Sequence, residues 1–194
     1  ANRLDHLGIP SVCGNDYTGI AMLVDHLRSR GHSRIGLVYN NTGLPVENIE
    51  VAVWKSCCPG ASDHRLEFRA NVPPGEHPAE FAYSCVLRNL SASGATALIT
   101  LDDELAIGAL TAAAELGIPV PEKLALVSMG DSVLARFANP PLTGLNPNLG
   151  EHLHQALDLL RRNRERRFGL ELLRLVEPTL VERRSTMKFQ EIVC

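Results

Sequence analysis

Apolar residues fall along this chain in two alternating patterns. Residues 35–39, 66–70, 96–100 and 124–128 are short, β-rich runs without the polar–apolar alternation of a half-exposed strand, which predicts strands covered on both faces. Longer segments between them repeat apolar positions every three or four residues. Residues 18–30 place Met22, Leu23, His26 and Leu27 on one face and stop at Gly31, while Ala106, Leu110, Ala113 and Ala114 line another helix that stops at Gly117. Residues 46–57 and 78–90 read as further helices, and residues 9–13, 171–176 and 179–182 as further strands. Leu149, Leu153, Ala156, Leu157 and Leu160 predict an amphipathic helix over residues 149–162, with Asn148 as its N-cap. Strand and helix thus alternate throughout, the pattern of an α/β fold whose parallel sheet carries helices on both faces.

The tightest block is residues 102–145. Asp102 and Asp103 follow a strand and can accept the free N–H groups of a helix start. Ile118-Pro119-Val120-Pro121 is a stiff connector to the next strand, after which Met129-Gly130-Asp131 turns the chain ahead of Pro140-Pro141.

Composition narrows the function classes. A chain of 194 residues that is 45% hydrophobic can bury the core of one or two domains. Its net charge of -3 provides no nucleic-acid footprint. No apolar run reaches the roughly 18 residues of a membrane span, and Ala1-Asn2-Arg3-Leu4-Asp5-His6 has no signal-peptide pattern, so a cytoplasmic protein is expected. Cys57 and Cys58 are adjacent and Cys13, Cys85 and Cys194 are scattered, which supports neither a disulfide framework nor a metal site. Nucleophile-elbow, P-loop, zinc-protease and dinucleotide motifs are absent, so neither an enzyme nor a cofactor is expected. An α/β enzyme with an unrecognised site and a sugar-binding protein of a transport system are the alternatives. The run RRNRERR over residues 161–167 reads as a solvated helix end, with a phosphate-binding patch as the sharper alternative.

Several motifs together carry a family resemblance. D-D-x-x-A-x-G-A-L from Asp102, L-G-I-x-V-P from Leu116, V-S-x-x-D from Val127 and N-P-P-L-T from Asn139 resemble the effector-binding domain of the lac-repressor/gal-repressor family of bacterial transcription regulators. The helix, G-H turn and strand over residues 24–36, and P-T-L-V-E-R-R-S-T over residues 178–186, resemble the same family. The resemblance implies a periplasmic-binding-protein-like fold of type I, partial here. Residues 1–17 would be a remnant of the N-terminal subdomain, 18–144 the C-terminal effector-binding subdomain, 145–168 a helix of the N-terminal subdomain, 169–186 closing strands and 187–194 a tail. Crossings between subdomains would lie near residues 16–19, 144–148 and 164–170. A small effector, a sugar or sugar derivative, is implied, as is a homodimer using the helices over residues 103–116 and 132–137. DNA would be reached only through a headpiece absent from this chain, and no membrane partner is implied.

Ligands of such sheets bind beyond the carboxyl ends of the parallel strands. Candidates there are Asn41 after the first strand of the sheet, Asp102 after the third and Asp131 after the fourth. Asp102 would accept from sugar hydroxyls or cap the following helix, and Asp103 reads first as a cap. By resemblance, Glu50 stands where the family commonly places a ligand-gripping Arg, four residues before the aromatic Trp54, and Gly130 where it places an Asp. Glu50 therefore reads either as a solvated helix residue or as a contact to a cationic or hydroxyl-rich ligand, and Trp54 as core or as a sugar platform. His77 falls in a loop where relatives place a stacking aromatic, with a surface histidine as its plainer reading.

Overall fold

The computed structural model describes residues 5–40, 49–58, 60–165 and 171–187. In chain order the elements are β1 (Ser11–Gly14), α1 (Asp16–Ser29), β2 (Ile35–Tyr39), α2 (Ile49–Cys57), β3 (Glu67–Arg69), α3 (Pro78–Ser93) and β4 (Ala97–Thr100). They continue with α4 (Asp103–Glu115), β5 (Ala125–Ser128), α5 (Val133–Phe137), β6 (Thr143–Asn146), α6 (Leu149–Glu165), β7 (Leu173–Val176) and β8 (Thr179–Val181).

The larger unit is a six-stranded sheet ordered β3-β2-β4-β5-β6-β8, parallel except for β8. Its register aligns Leu37 with Ile99 and Ile99 with Val127, so equivalent positions face the same side. Ile35, Leu37, Tyr39, Ile99 and Val127 pack with Ile20, Leu23 and Leu27 of α1 and Trp54 of α2. Val38, Leu98 and Leu126 point the other way, against Val86 and Leu90 of α3 and Leu105 and Ala109 of α4. Both faces need apolar side chains, which is why these strands show no alternation in the sequence. Helices α3 and α4 approach closely at Gly108, where a β-carbon would stand 2.1 Å from the Ala79 carbonyl oxygen. The expected strand at residues 66–70 is shorter than read, because Leu66 closes a 3-10 turn in which Asp63 accepts from the Arg65 N–H.

The smaller unit is a parallel pair, β1 with β7, covered on one side by α6. This corrects the expectation that residues 169–186 all close the larger unit. Hydrogen bonding commits β7 to β1, and the chain returns to the larger sheet only at Glu177-Pro178 before β8. The apolar face of α6 also lies elsewhere than expected. Leu159 is buried, whereas Leu149, Leu153, Leu157 and Leu160 are 60–71% exposed, since two strands cover only a narrow strip of the helix. Asn148 does not cap α6 with its side chain. Its φ is +53°, its backbone carbonyl receives the Glu151 N–H at 2.9 Å, and its amide is used by the third crossing.

Candidate functional site

The carboxyl ends of β4 and β5 lie side by side, and each is followed by an aspartate-bearing turn. Asp102 is the N-cap of α4, with extended backbone and a carboxylate oxygen 2.7 Å from the Leu105 N–H. Burial pushes its carboxyl above the ordinary value, aided by the charges of Glu104 and Asp103 and opposed by the bond from Leu105. A half-buried carboxylate capping through Oδ1 keeps further lone pairs for a hydroxyl donor.

Asp103 does not cap, contrary to its first reading. One residue further round the first turn it points inward, is 7% exposed, and accepts from Ser128 Oγ and from the Ser132 N–H at 2.8 Å. It thereby bolts the end of β5 and the start of α5 to α4. The same carboxylate explains Gly130. A β-carbon there would lie 2.7 Å from both Asp103 oxygens, so a second acidic side chain has no room.

Asp131 was a candidate ligand contact, and the structure engages it otherwise. Arg183 and Asn146 bind its two oxygens, the latter at 3.1 Å, while Arg136 approaches at 3.4 Å. Its side chain is 5% exposed. Burial pushes this carboxyl up, but Arg183 and Arg136 outweigh that and hold it below the ordinary carboxylate value.

Glu50 sits in the first turn of α2 and is half-buried, so the solvated-residue reading does not describe it. Burial raises its carboxyl, and the charge of Asp16 adds to the rise. Asp16 thus contributes charge to the surroundings of Glu50. It opens α1 immediately after Asn15, whose side chain accepts from the Thr18 N–H at 3.3 Å. Trp54 is fully buried and donates from Nε1 to the Ile35 carbonyl at 3.2 Å, which makes it core. His77 is exposed and precedes α3 without a side-chain cap. Asn41 lies outside the described residues.

Where the two units meet, Gly14, Asn15, Asp16, Met129, Leu145, Pro147, Val176 and Pro178 enclose a cavity of about 70 Å³. It is bounded by all three crossings, and the dipeptides Pro147-Asn148 and Glu177-Pro178 are the sequence signals that could have found it. Among the described residues no group of His, Cys, Asp or Glu is placed to hold a metal ion, and no helix is long and apolar enough to cross a membrane.

A parallel sheet covered on both faces, joined by three crossings to a second unit with its polar strand ends near the junction, defines the two-unit ligand-binding class of α/β folds. The chain belongs to the family of periplasmic binding protein-like domains, whose model matches residues 24–186. It is 32% identical over 185 residues to the HTH-type transcriptional repressor PurR of Salmonella newport, an alignment covering 90% of this chain and 51% of PurR. The chain therefore spans about half the length of that relative. A solved regulatory protein of the LacI family from Chloroflexus aggregans superposes with a TM-score of 0.77 at 26% identity, covering 90% of this chain and 62% of that one. A LacI family regulator from Enterococcus faecium, solved with bound ribose, matches in fold with a TM-score of 0.71 at 22% identity, covering 93% of this chain and 66% of the other. The lac-repressor resemblance read from the motifs and the parallel α/β fold are both borne out.

Proposed function

We propose that this chain is the effector-sensing part of a transcription regulator of the lac-repressor type, and that its effector is a sugar or sugar derivative. The observation that carries the reading is Asp102, a half-buried carboxylate at the carboxyl end of β4, in a chain similar to regulators over most of its length. Carboxylates accept from adjacent hydroxyls, and an acidic strand end suits hydroxyl-rich or cationic ligands better than anionic ones. Effector binding would bias an equilibrium between two arrangements of the units, and a linked DNA-binding segment would read that bias.

Self-association fits the same reading. Val133, Leu134 and Phe137 of α5 are exposed, Phe137 by 83%. Nearby, Leu110, Ile118, Val120, Pro121 and Pro140 border an apolar pocket of about 260 Å³. A second copy offering Phe137 to that pocket would pair the two faces reciprocally.

Thermal denaturation of the full-length gene product against a panel of neutral sugars, amino sugars and sugar phosphates tests the reading. A neutral or amino sugar at a hundred times its Kd should stabilise the protein by about 2.7 kcal/mol. A panel in which only phosphorylated sugars stabilise would contradict it. DNA titrations at physiological salt should find sequence-dependent binding by the full-length product and none by residues 1–194 alone.

A further inference from the structure

The three crossings between the units are tied to one another by side chains, and each link runs through a residue that both donates and accepts. In the first crossing, Asn15 donates from Nδ2 to Glu177 Oε1 of the third at 2.7 Å, while its backbone N–H donates to the Val176 carbonyl at 2.9 Å. In the second, Asn148 donates from Nδ2 to the Glu177 carbonyl at 2.8 Å and to Thr179 Oγ1 at 3.0 Å. The Asn148 backbone N–H then donates to Asn146 Oδ1 at 2.8 Å, and Asn146 Nδ2 donates to Asp131 at 3.1 Å. Asp131 ends the series between Arg183, which follows β8 and also binds the Leu142 carbonyl at 2.8 Å, and Arg136 of α5. A carboxamide is the side chain suited to such a series, since it presents a donor and an acceptor at once.

We propose that Asn15, Glu177, Asn148, Asn146 and Asp131 form a latch that holds the two units in one relative arrangement and connects that arrangement to the end of β5 and to α5. Rotation of the small unit about the crossings has to strain or exchange the bonds from Asn15 to Glu177 and from Asn148 to Glu177 and Thr179, because these tie one crossing to another, while the bond from Asn146 to Asp131 anchors the second crossing within the larger unit. The position of Asp131 makes it the fixed end. Its carboxylate sits in the larger unit, in the turn after β5, and Arg136 carries the connection to the exposed surface of α5. Asn148 is suited to its place on two counts, a side-chain amide for the third crossing and tolerance of the left-handed backbone that turns the chain into α6. That the latch governs effector affinity rests on the function proposed above. The contacts themselves do not, and the experiment below measures them without any ligand.

Hydrogen–deuterium exchange of the full chain, followed by mass spectrometry, separates a latch from a local turn. In Asn148→Gly, which keeps the left-handed backbone accessible and removes only the amide, exchange in residues 11–16 and 173–179 should accelerate by about two- to tenfold, the effect of losing a neutral hydrogen bond. Residues 97–113 should be unchanged. Asp131→Asn should accelerate the same crossing segments together with residues 133–137. Asn146→Ala is the third variant, and its exchange pattern should match that of Asn148→Gly. Acceleration confined to residues 143–151 in Asn148→Gly would overturn the proposal, as would Asp131→Asn altering α5 while leaving the crossings at the rate of the parent chain.

Discussion

The larger and smaller units use the same elements, parallel strands and helices, with opposite consequences. In the larger one, both faces of a six-stranded sheet are covered and strand residues such as Leu37, Leu98 and Ile99 are completely buried. In the smaller one, a two-stranded parallel sheet has one helix against it, Leu175 is 42% exposed, and four leucines of α6 face outward. Isolated parallel pairs gain little from burial, and sheets of this kind ordinarily have both faces covered. The larger unit is therefore held by its own core, while the smaller one depends on the crossings and on the polar contacts across them.

Equal changes in the two units therefore have unequal costs. Ile99→Ala, in the centre of the larger sheet, should destabilise the chain by about 2–5 kcal/mol in denaturant titration, whereas Leu175→Ala in β7 should stay within roughly 0.5 kcal/mol of the parent. Similar losses at both positions would remove the distinction. Gly108→Ala should cost about 1–3 kcal/mol, because the new methyl group meets the Ala79 carbonyl and α3 and α4 must separate. A crystal structure of that variant with unchanged helix spacing would refute the cause even if the cost were found.

One pH-dependent effect lies in the larger unit. His26 is buried, its Nε2 lies 3.2 Å from Arg30 Nε and 3.0 Å from Thr186 Oγ1, and Glu182 stands 3.9 Å from Nδ1. Burial lowers its pKa below 6.5, Arg30 and His32 lower it further, and Glu182 opposes them. The unfolded chain then takes up a proton before the folded one does. Stability from this site is complete above pH 6.5 and declines as pH falls from there towards the folded pKa. Melting curves of His26→Gln should lose that decline, and a variant that keeps it would place its origin elsewhere. The smallest effect is expected on α6. Leu157→Ser should change stability by no more than about 0.5 kcal/mol, as at any exposed position; a large loss in the full-length gene product would show that the leucine stripe is covered there.

Much of the fold was legible because burial on both faces leaves a direct mark, the unalternating runs at β2, β4 and β5. The face of α6 was misread for a related reason. Periodicity shows which residues could face a core, and here the sheet beneath the helix is too narrow to bury them. At the site, sequence placed Asp102 correctly at a strand end and could not separate its role from that of Asp103. Adjacent residues at a helix start point in different directions, and only the position of Ser128, distant in sequence, showed which one turns inward. Asp131 looked available because its partners Asn146 and Arg183 are 15 and 52 residues away. Glu50 looked solvated because its burial depends on how α2 packs, which its local sequence does not show.

The central claim is that the carboxyl end of β4 contacts the effector, and calorimetry of Asp102→Ala in the full-length gene product tests it most directly. With whichever sugar stabilises the parent protein, the variant should lose about 1.5–3 kcal/mol of binding free energy, roughly ten- to a hundredfold in Kd. A separate loss of about 0.5–2 kcal/mol in stability is expected from the missing helix cap. An unchanged Kd alongside that stability loss would contradict the claim and leave Asp102 as a cap alone.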